Sequence, residues 1–294
     1  MNSLATRTIA GLGMAGVTGA SAAGAWYVMK PKDVKSKLVS EGLTLVGDYS
    51  RAWRAVFLTH KDDEEFIKFA GVSSDQQSDT QGTKVASACK RVLKKEVSSE
   101  EYDASLNKAR KYCTTPKFKT VEAKVLFSDK EISSQERDWK DIFTLHKSDT
   151  SFIDKVKAAN SNANISSSTQ ASEAKDKVKK FCDDLKVKDP ISEHILDYEK
   201  YCLQTPPNVQ KFYEQKGYTL VGNGGWGSKF ESIKTSDTSL VNEIKGSDTL
   251  NESSDGTQGG PKLESWCKTK LAQEINAADP NMEANLKVKS RCFI

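Results

Sequence analysis

The sequence predicts a mainly α protein: an N-terminal membrane helix followed by three similar small helical units. Three observations carry this. Trp53, Trp139 and Trp226 lie 86 and 87 residues apart. Each is followed by one cysteine in mid-unit and one at the unit's end, as Cys89/Cys113, Cys182/Cys202 and Cys267/Cys292. From Thr8 to Met29 there is no charged side chain, whereas the rest of the chain is rich in interspersed acids and bases. The boundaries that follow are 1–30 for the anchor or signal segment, then 31–115, 116–205 and 206–294 for the units.

The uncharged stretch of 22 residues would span about 33 Å as a helix, enough to cross a bilayer core. Gly11, Ala15, Gly19 and Ala23 recur every four residues, a spacing that lets membrane helices approach closely. Trp26 and Tyr27 stand where an interfacial aromatic belt would sit, with Lys30 and Lys32 beyond. The alternative is a cleaved secretory signal ending at Ala20-Ser21-Ala22.

Each unit opens on a proline and a short helical string: Pro31 with Val34–Val39, Pro116 with Val121–Leu126, Pro207 with Val209–Tyr213. Eight residues past the valine come Gly42 and Gly217, and in unit two Asp129, which tolerates a left-handed helix end better than most residues. The strings Leu43–Val46 and Tyr218–Val221 add a short strand to units one and three.

The tryptophan helix comes next. Phe57, Phe143 and Phe230 follow Trp53, Trp139 and Trp226 by four residues, so each pair shares a helical face and forms the core stripe of its unit. Phe66-Ile67, Phe152-Ile153 and Leu240-Val241 continue the apolar pattern. Polar loops then occupy 73–83, 160–173 and 246–261; they hold few apolar residues and read as exposed and mobile. Asn164-Ile-Ser166 and Asn251-Glu-Ser253 within them are formal glycosylation triplets. The helices carrying the first cysteines are expected near 84–95, 174–185 and 262–275. The closing helices are expected to start at Asp189-Pro190 and Asp279-Pro280, and in unit one at a capping box of Ser98 with Glu101.

Six cysteines allow 15 pairings, and the repeat favours one disulfide per unit in an oxidising exterior, with buried free thiols as the alternative. Units of 85–90 residues bury a modest fraction of their surface and gain from such a staple. The lysines after the anchor, Lys30, Lys32, Lys35 and Lys37, argue for a cytoplasmic placement under the positive-inside rule. Long domains translocate largely regardless of flanking charge, so the cysteines decide for a single-pass cell-membrane protein with extracellular repeats.

Chemistry is sparse. The three histidines, His60, His146 and His194, have no metal-ligand spacing, and no nucleophile triad or cofactor fingerprint is legible. The Gly-rich Asn223–Gly227 lacks a phosphate-loop pattern. Net charge is +4 without a basic stripe, which argues against nucleic acid. The expectation is a non-enzymatic, metal- and cofactor-free surface protein, antigenic or adhesive. It would hold the membrane through residues 1–30 and meet host-cell surfaces or antibodies through the three loops. The rival readings are a secreted or envelope hydrolase with an unrecognised site, and an intracellular-facing scaffold.

The small-residue N-terminal segment, the W…C…[YR]C pattern of the units and the terminal Ser290-Arg-Cys-Phe-Ile294 resemble the large paralogous families of uncharacterised membrane-anchored proteins of haemotropic mycoplasmas. The resemblance implies a wall-less, blood-cell-attached bacterium, a membrane address and antigenic variation at the surface. It brings no enzymatic activity and no binding residues.

Overall fold

The computed structural model describes residues 30–76, 78–246, 250–278 and 283–294, with nothing said of side chains at 283–285. All of the membrane segment expected at 1–30 except Lys30, and the Asp279-Pro280 helix start, lie outside them. Among the described residues no helix is long and apolar enough to cross a membrane. The described chain is mainly helical and contains no strand.

In chain order the helices are α1 (Val34–Ser40), α2 (Ser50–His60), α3 (Glu64–Ala70), α4 (Ser78–Leu93), α5 (Tyr102–Tyr112) and α6 (Val121–Phe127). They continue as α7 (Glu136–His146), α8 (Thr150–Ala159), α9 (Ala171–Lys186), α10 (Ser192–Tyr201) and α11 (Val209–Gln215). The last are α12 (Trp226–Ile233), α13 (Leu240–Ile244), α14 (Gly256–Leu271), α15 (Ile275–Ala278) and α16 (Glu283–Cys292). They fall into two compact units, one from residues up to Leu45 with 88–115, the other from 46–87 with 116–294.

In the first unit, Asp33 caps α1 by accepting from Ser36 N at 2.7 Å, and Ser36 Oγ returns the favour at the Asp33 N–H. Val34 and Leu38 point inward, one turn apart, and are fully buried. The Val34 N–H donates to Lys95 O at 2.9 Å, which ties α1 to the chain leaving α4. Leu45 and Thr114 make an isolated antiparallel bridge beside the Cys89–Cys113 disulfide.

The second unit holds two apolar cores. One gathers Leu126, Phe143, Phe152, Val178, Phe181 and Tyr198 around Cys182 and Cys202. The other gathers Phe212, Trp226, Phe230, Leu263 and Val288 around Cys267 and Cys292. Within this unit α2 lies against α6, α7 against α9, and α12 against α14. The α2–α6 junction is polar at its edge: Arg51 pairs with Asp129 at 2.6 Å and Glu131 at 2.8 Å, and Arg54 pairs with Glu131 at 3.0 Å and Asp79 at 2.6 Å.

Several local bonds recur at matching places. Val121 N donates to Lys188 O and Val209 N to Gln273 O, each at 3.0 Å, so in all three cases the acceptor lies six residues past the first cysteine. Ile132 bridges Leu203 and Leu220 bridges Phe293, the residue just after the closing cysteine, as Thr114 is. The strands expected at 43–46 and 218–221 are therefore single bridges, Leu45 with Thr114 and Leu220 with Phe293. Gly42, Asp129 and Gly217 have φ of 78°, 59° and 84°, the left-handed conformation that ends α1, α6 and α11.

Helix boundaries differ from expectation at two kinds of place. The helices α4, α9 and α14 start six, three and six residues before the sequence reading placed them, so the segments read as loops at 73–83, 160–173 and 246–261 are partly helical. In α14 the helix runs through Gly256, Gly259, Gly260 and Pro261, a composition that normally breaks helices. An Asp255–Gln258 capping box starts it. The glycines let it close on α12: a Cβ on Gly256 would come within 2.7 Å of Gly227 O, and one on Gly260 within 2.7 Å of Gly227 N. The loops are also anchored, since Ile165 and Gln81 are fully buried. In the closing helices, α5 starts at Tyr102 and α10 at Ser192, and neither the Ser98–Glu101 box nor an Asp189 cap forms. Ser98 Oγ instead faces Glu96 Oε2 at 3.5 Å.

Candidate functional site

Phe57, Phe143 and Phe230 are at most 1% exposed, and Phe143 and Phe230 belong to the two cores of the second unit. Trp53 and Trp226 are buried, and Trp139 is half-buried with Lys179 Nζ over its ring at 5.3 Å. The i, i+4 spacing of Trp and Phe puts both on the inward face of α2, α7 and α12. None of them lines the cleft described below.

The structure joins Cys89 to Cys113, Cys182 to Cys202 and Cys267 to Cys292, with Cα–Cα distances of 5.6, 5.6 and 5.7 Å. All six are buried. The first partner lies in the last turns of α4, α9 or α14; the second ends α5, α10 or α16. Closing loops of 24, 20 and 25 residues restricts the unfolded chain by about 3 kcal/mol each in the entropy model.

Beside each closing cysteine of the second unit stands a side chain that reaches back to the aspartate heading the Phe-Ile or Leu-Val helix. Tyr201 donates its hydroxyl to Asp149 Oδ2 at 2.8 Å, and Lys200 Nζ reaches the same oxygen at 2.8 Å. Lys200 and Tyr201 hold Asp149 down at about 2. His146 packs edge-on against Tyr201, and burial pushes its pKa down to about 4. At the matching place near the C-terminus stands Arg291, fully buried. It donates to Asp237 at 2.6 and 3.0 Å, to Glu243 at 2.7 Å and to Ser239 at 2.8 Å, with its guanidinium 4.8 Å from the Trp266 ring.

The concentration of buried charge that sequence reading missed lies on α7. Asp138 and Asp141 flank Trp139 and are both fully buried. Asp138 accepts from Arg137 Nη2 at 2.9 Å, Thr205 Oγ1 at 3.0 Å, and the Ser134 and Gln135 N–H groups at 3.2 and 3.3 Å. Asp141 accepts from Asn276 N and Nδ2 at 2.8 and 2.6 Å, and Thr205 Oγ1 is 3.2 Å from its other oxygen. Burial raises the pKa of Asp141. Arg137 and Thr205 also line an open cleft of about 700 Å³, together with Lys130, Gln135, Gln204 and Pro206.

Asp138 and Asp141 sit where α2 has Ala52 and Ala55 and where Gly225 and Ser228 stand in the third tryptophan segment. Unit-against-unit alignment is the signal that could have found them. Among the described residues no three of His, Cys, Asp or Glu gather closely enough to hold a metal ion. Comparison with protein-family models, curated proteins and solved structures finds no match.

Proposed function

We propose that this chain is a membrane-anchored surface protein built from three copies of one disulfide-clasped helical module. In this reading it is antigenic or adhesive rather than enzymatic, and residues 1–30 hold it in the membrane. The turns ahead of α4, α9 and α14 meet host molecules or antibodies. The observation that carries it is the pairing of all six cysteines, one pair to a module, at matching positions. Bonds of this kind persist in oxidising compartments. The recurring valine bond, the bridge after the closing cysteine and the left-handed residue eight positions past the valine support the triplication. The resemblance to membrane-anchored families of haemotropic mycoplasmas points to the same address.

Treating intact cells with a protease tests the address. The reading expects cleavage in the exposed turns, such as around Asn164, while cytoplasmic markers survive. Cleavage seen only after lysis would refute it.

One observation favours a hydrolytic reading: two carboxyls, Asp138 and Asp141, stand behind a cleft. Both side chains are sealed from solvent and make their polar contacts with protein groups, so neither is placed to meet a substrate or a water. A broad panel of ester, peptide and phosphoester substrates decides the matter, and turnover abolished by Asp138→Asn would favour the hydrolase.

A further inference from the structure

The contacts of Thr205 constrain where a proton resides. Its Oγ1 lies 3.0 Å from Asp138 Oδ1 and 3.2 Å from Asp141 Oδ2, and both carboxyls are fully buried. A hydroxyl has one hydrogen, so it can donate to only one of them. The other contact sets oxygen lone pairs against each other unless that carboxyl is itself protonated. Asp138 has the surroundings of an anion: a guanidinium and two backbone N–H groups point at it. Among the described residues the donors to Asp141 Oδ1 are Asn276 N and Nδ2, and Arg137 Nε stands 3.9 Å from Oδ2, beyond hydrogen-bond reach.

We propose that Asp141 is a neutral carboxylic acid in the folded protein, donating to Thr205 Oγ1, which donates in turn to Asp138, and that this ordered chain clamps α15 onto α7. The clamp spans three distant pieces of sequence, with Thr205 and Asn276 lying 64 and 135 residues from Asp141.

Burial outweighs the neighbours that favour an anion at Asp141, which are the Asn276 and Thr205 hydrogen bonds and the Arg137 charge. On α7, Arg137 is paired with Asp138 at 2.9 Å and Lys140 with Glu136 at 2.6 Å. The segment after Cys202 brings the neutral Thr205, and α15 brings the neutral Asn276. On α9, Lys175 is paired with Glu136, and Lys179 lies over Trp139 and pairs with Asp183. Burial raises the pKa of Asp141 above its unfolded value of about 3.9. The clamp is therefore complete below the unfolded value and is lost as pH rises through the folded one.

The test uses Asp141→Asn in the full-length protein, because an amide reproduces the proposed acid: Nδ2 donates to Thr205 and Oδ1 accepts from Asn276. The readout is protection of the Asn276 amide against hydrogen exchange from pH 4 to 8, corrected for intrinsic exchange. In wild type, protection falls with rising pH, about tenfold for each unit by which the folded pKa exceeds the unfolded one. In Asp141→Asn it stays flat and at least as high. Wild-type protection that does not change with pH would overturn the proposal, as would loss of Asn276 protection at every pH in the variant. If Asp141→Asn does not fold, the wild-type profile alone decides. A protonated-carboxyl C=O stretch in the infrared spectrum, fading as pH rises, is the second reading.

Discussion

Arg291 grips Asp237 through Nε and Nη2 at 2.6 and 3.0 Å, at the place where Tyr201 gives Asp149 a single hydroxyl bond of 2.8 Å. In the core around Cys182 and Cys202 the anchoring aspartate is shared by Tyr201 and Lys200, and the His146 ring packs against Tyr201. In the core around Cys267 and Cys292, Ile233 stands in place of His146, and the guanidinium supplies both reach and charge. The same task, tying the end of the closing helix to the head of a short helix, is thus met by two chemistries.

Removing Arg291 takes charged hydrogen bonds from Asp237 and Glu243, which are partly exposed, and leaves Glu243 with Lys287. Arg291→Ala is therefore expected to cost about 1.5–3 kcal/mol in urea unfolding. Arg291→Tyr is expected to cost less than Arg291→Ala, because its hydroxyl can reach Asp237 as Tyr201 reaches Asp149. Equal losses would show that the pair, rather than the bond to Asp237, is what matters.

The His146 imidazole, lowered to about 4, gives the fold an acid limit. The unfolded chain takes up this proton near pH 6.5 while the folded chain resists until about 4. Stability is therefore fully present above about 6.5, falls as pH drops to about 4 by roughly 3 kcal/mol, and then levels for this group. Asp149 acts lower: its depressed pKa contributes stability above about pH 3.9 that is lost as pH falls towards 2. Chemical denaturation of wild type and His146→Phe across pH 4–7 checks the first step, and an unchanged slope in the variant would reassign it.

The α12–α14 contact is predicted to reject even a methyl group. A Cβ on Gly259 would meet Phe230 at 2.4 Å, and one on Gly260 would meet the Gly227 backbone at 2.7 Å. Alanine gains about 1 kcal/mol in helix propensity, yet crowding of this kind costs about 1–3 kcal/mol or more. Gly260→Ala, facing backbone, should be the worse of the two. Gly222→Ala, with nothing within 4 Å, should change stability by no more than about 0.5 kcal/mol. Thermal melts of the three variants give the comparison.

What was legible in the sequence was whatever is decided locally. Asp129 could be read as a left-handed helix end because its glycine counterparts fix the conformation, and it has φ 59°. The Phe57, Phe143 and Phe230 stripe follows from helical spacing alone. The start of α14 was illegible, because Gly259, Gly260 and Pro261 argue against a helix until Gly227 and Phe230 are brought against them. The same holds for Asp138 and Asp141: two acids on a helix read as a solvated face, and their partners Thr205 and Asn276 arrive from distant segments. The capping box expected from Ser98 and Glu101 failed since Ser98 turned to Glu96 instead.

The most direct test of the account is mass spectrometry of the protein taken from its own cells, with thiols blocked before lysis and the chain digested without reduction. Three linked peptide pairs, Cys89–Cys113, Cys182–Cys202 and Cys267–Cys292, with no blocked thiol, are the predicted result. Six blocked thiols, or links running from one module to another, would contradict a set of separately clasped modules held outside the reducing interior of the cell.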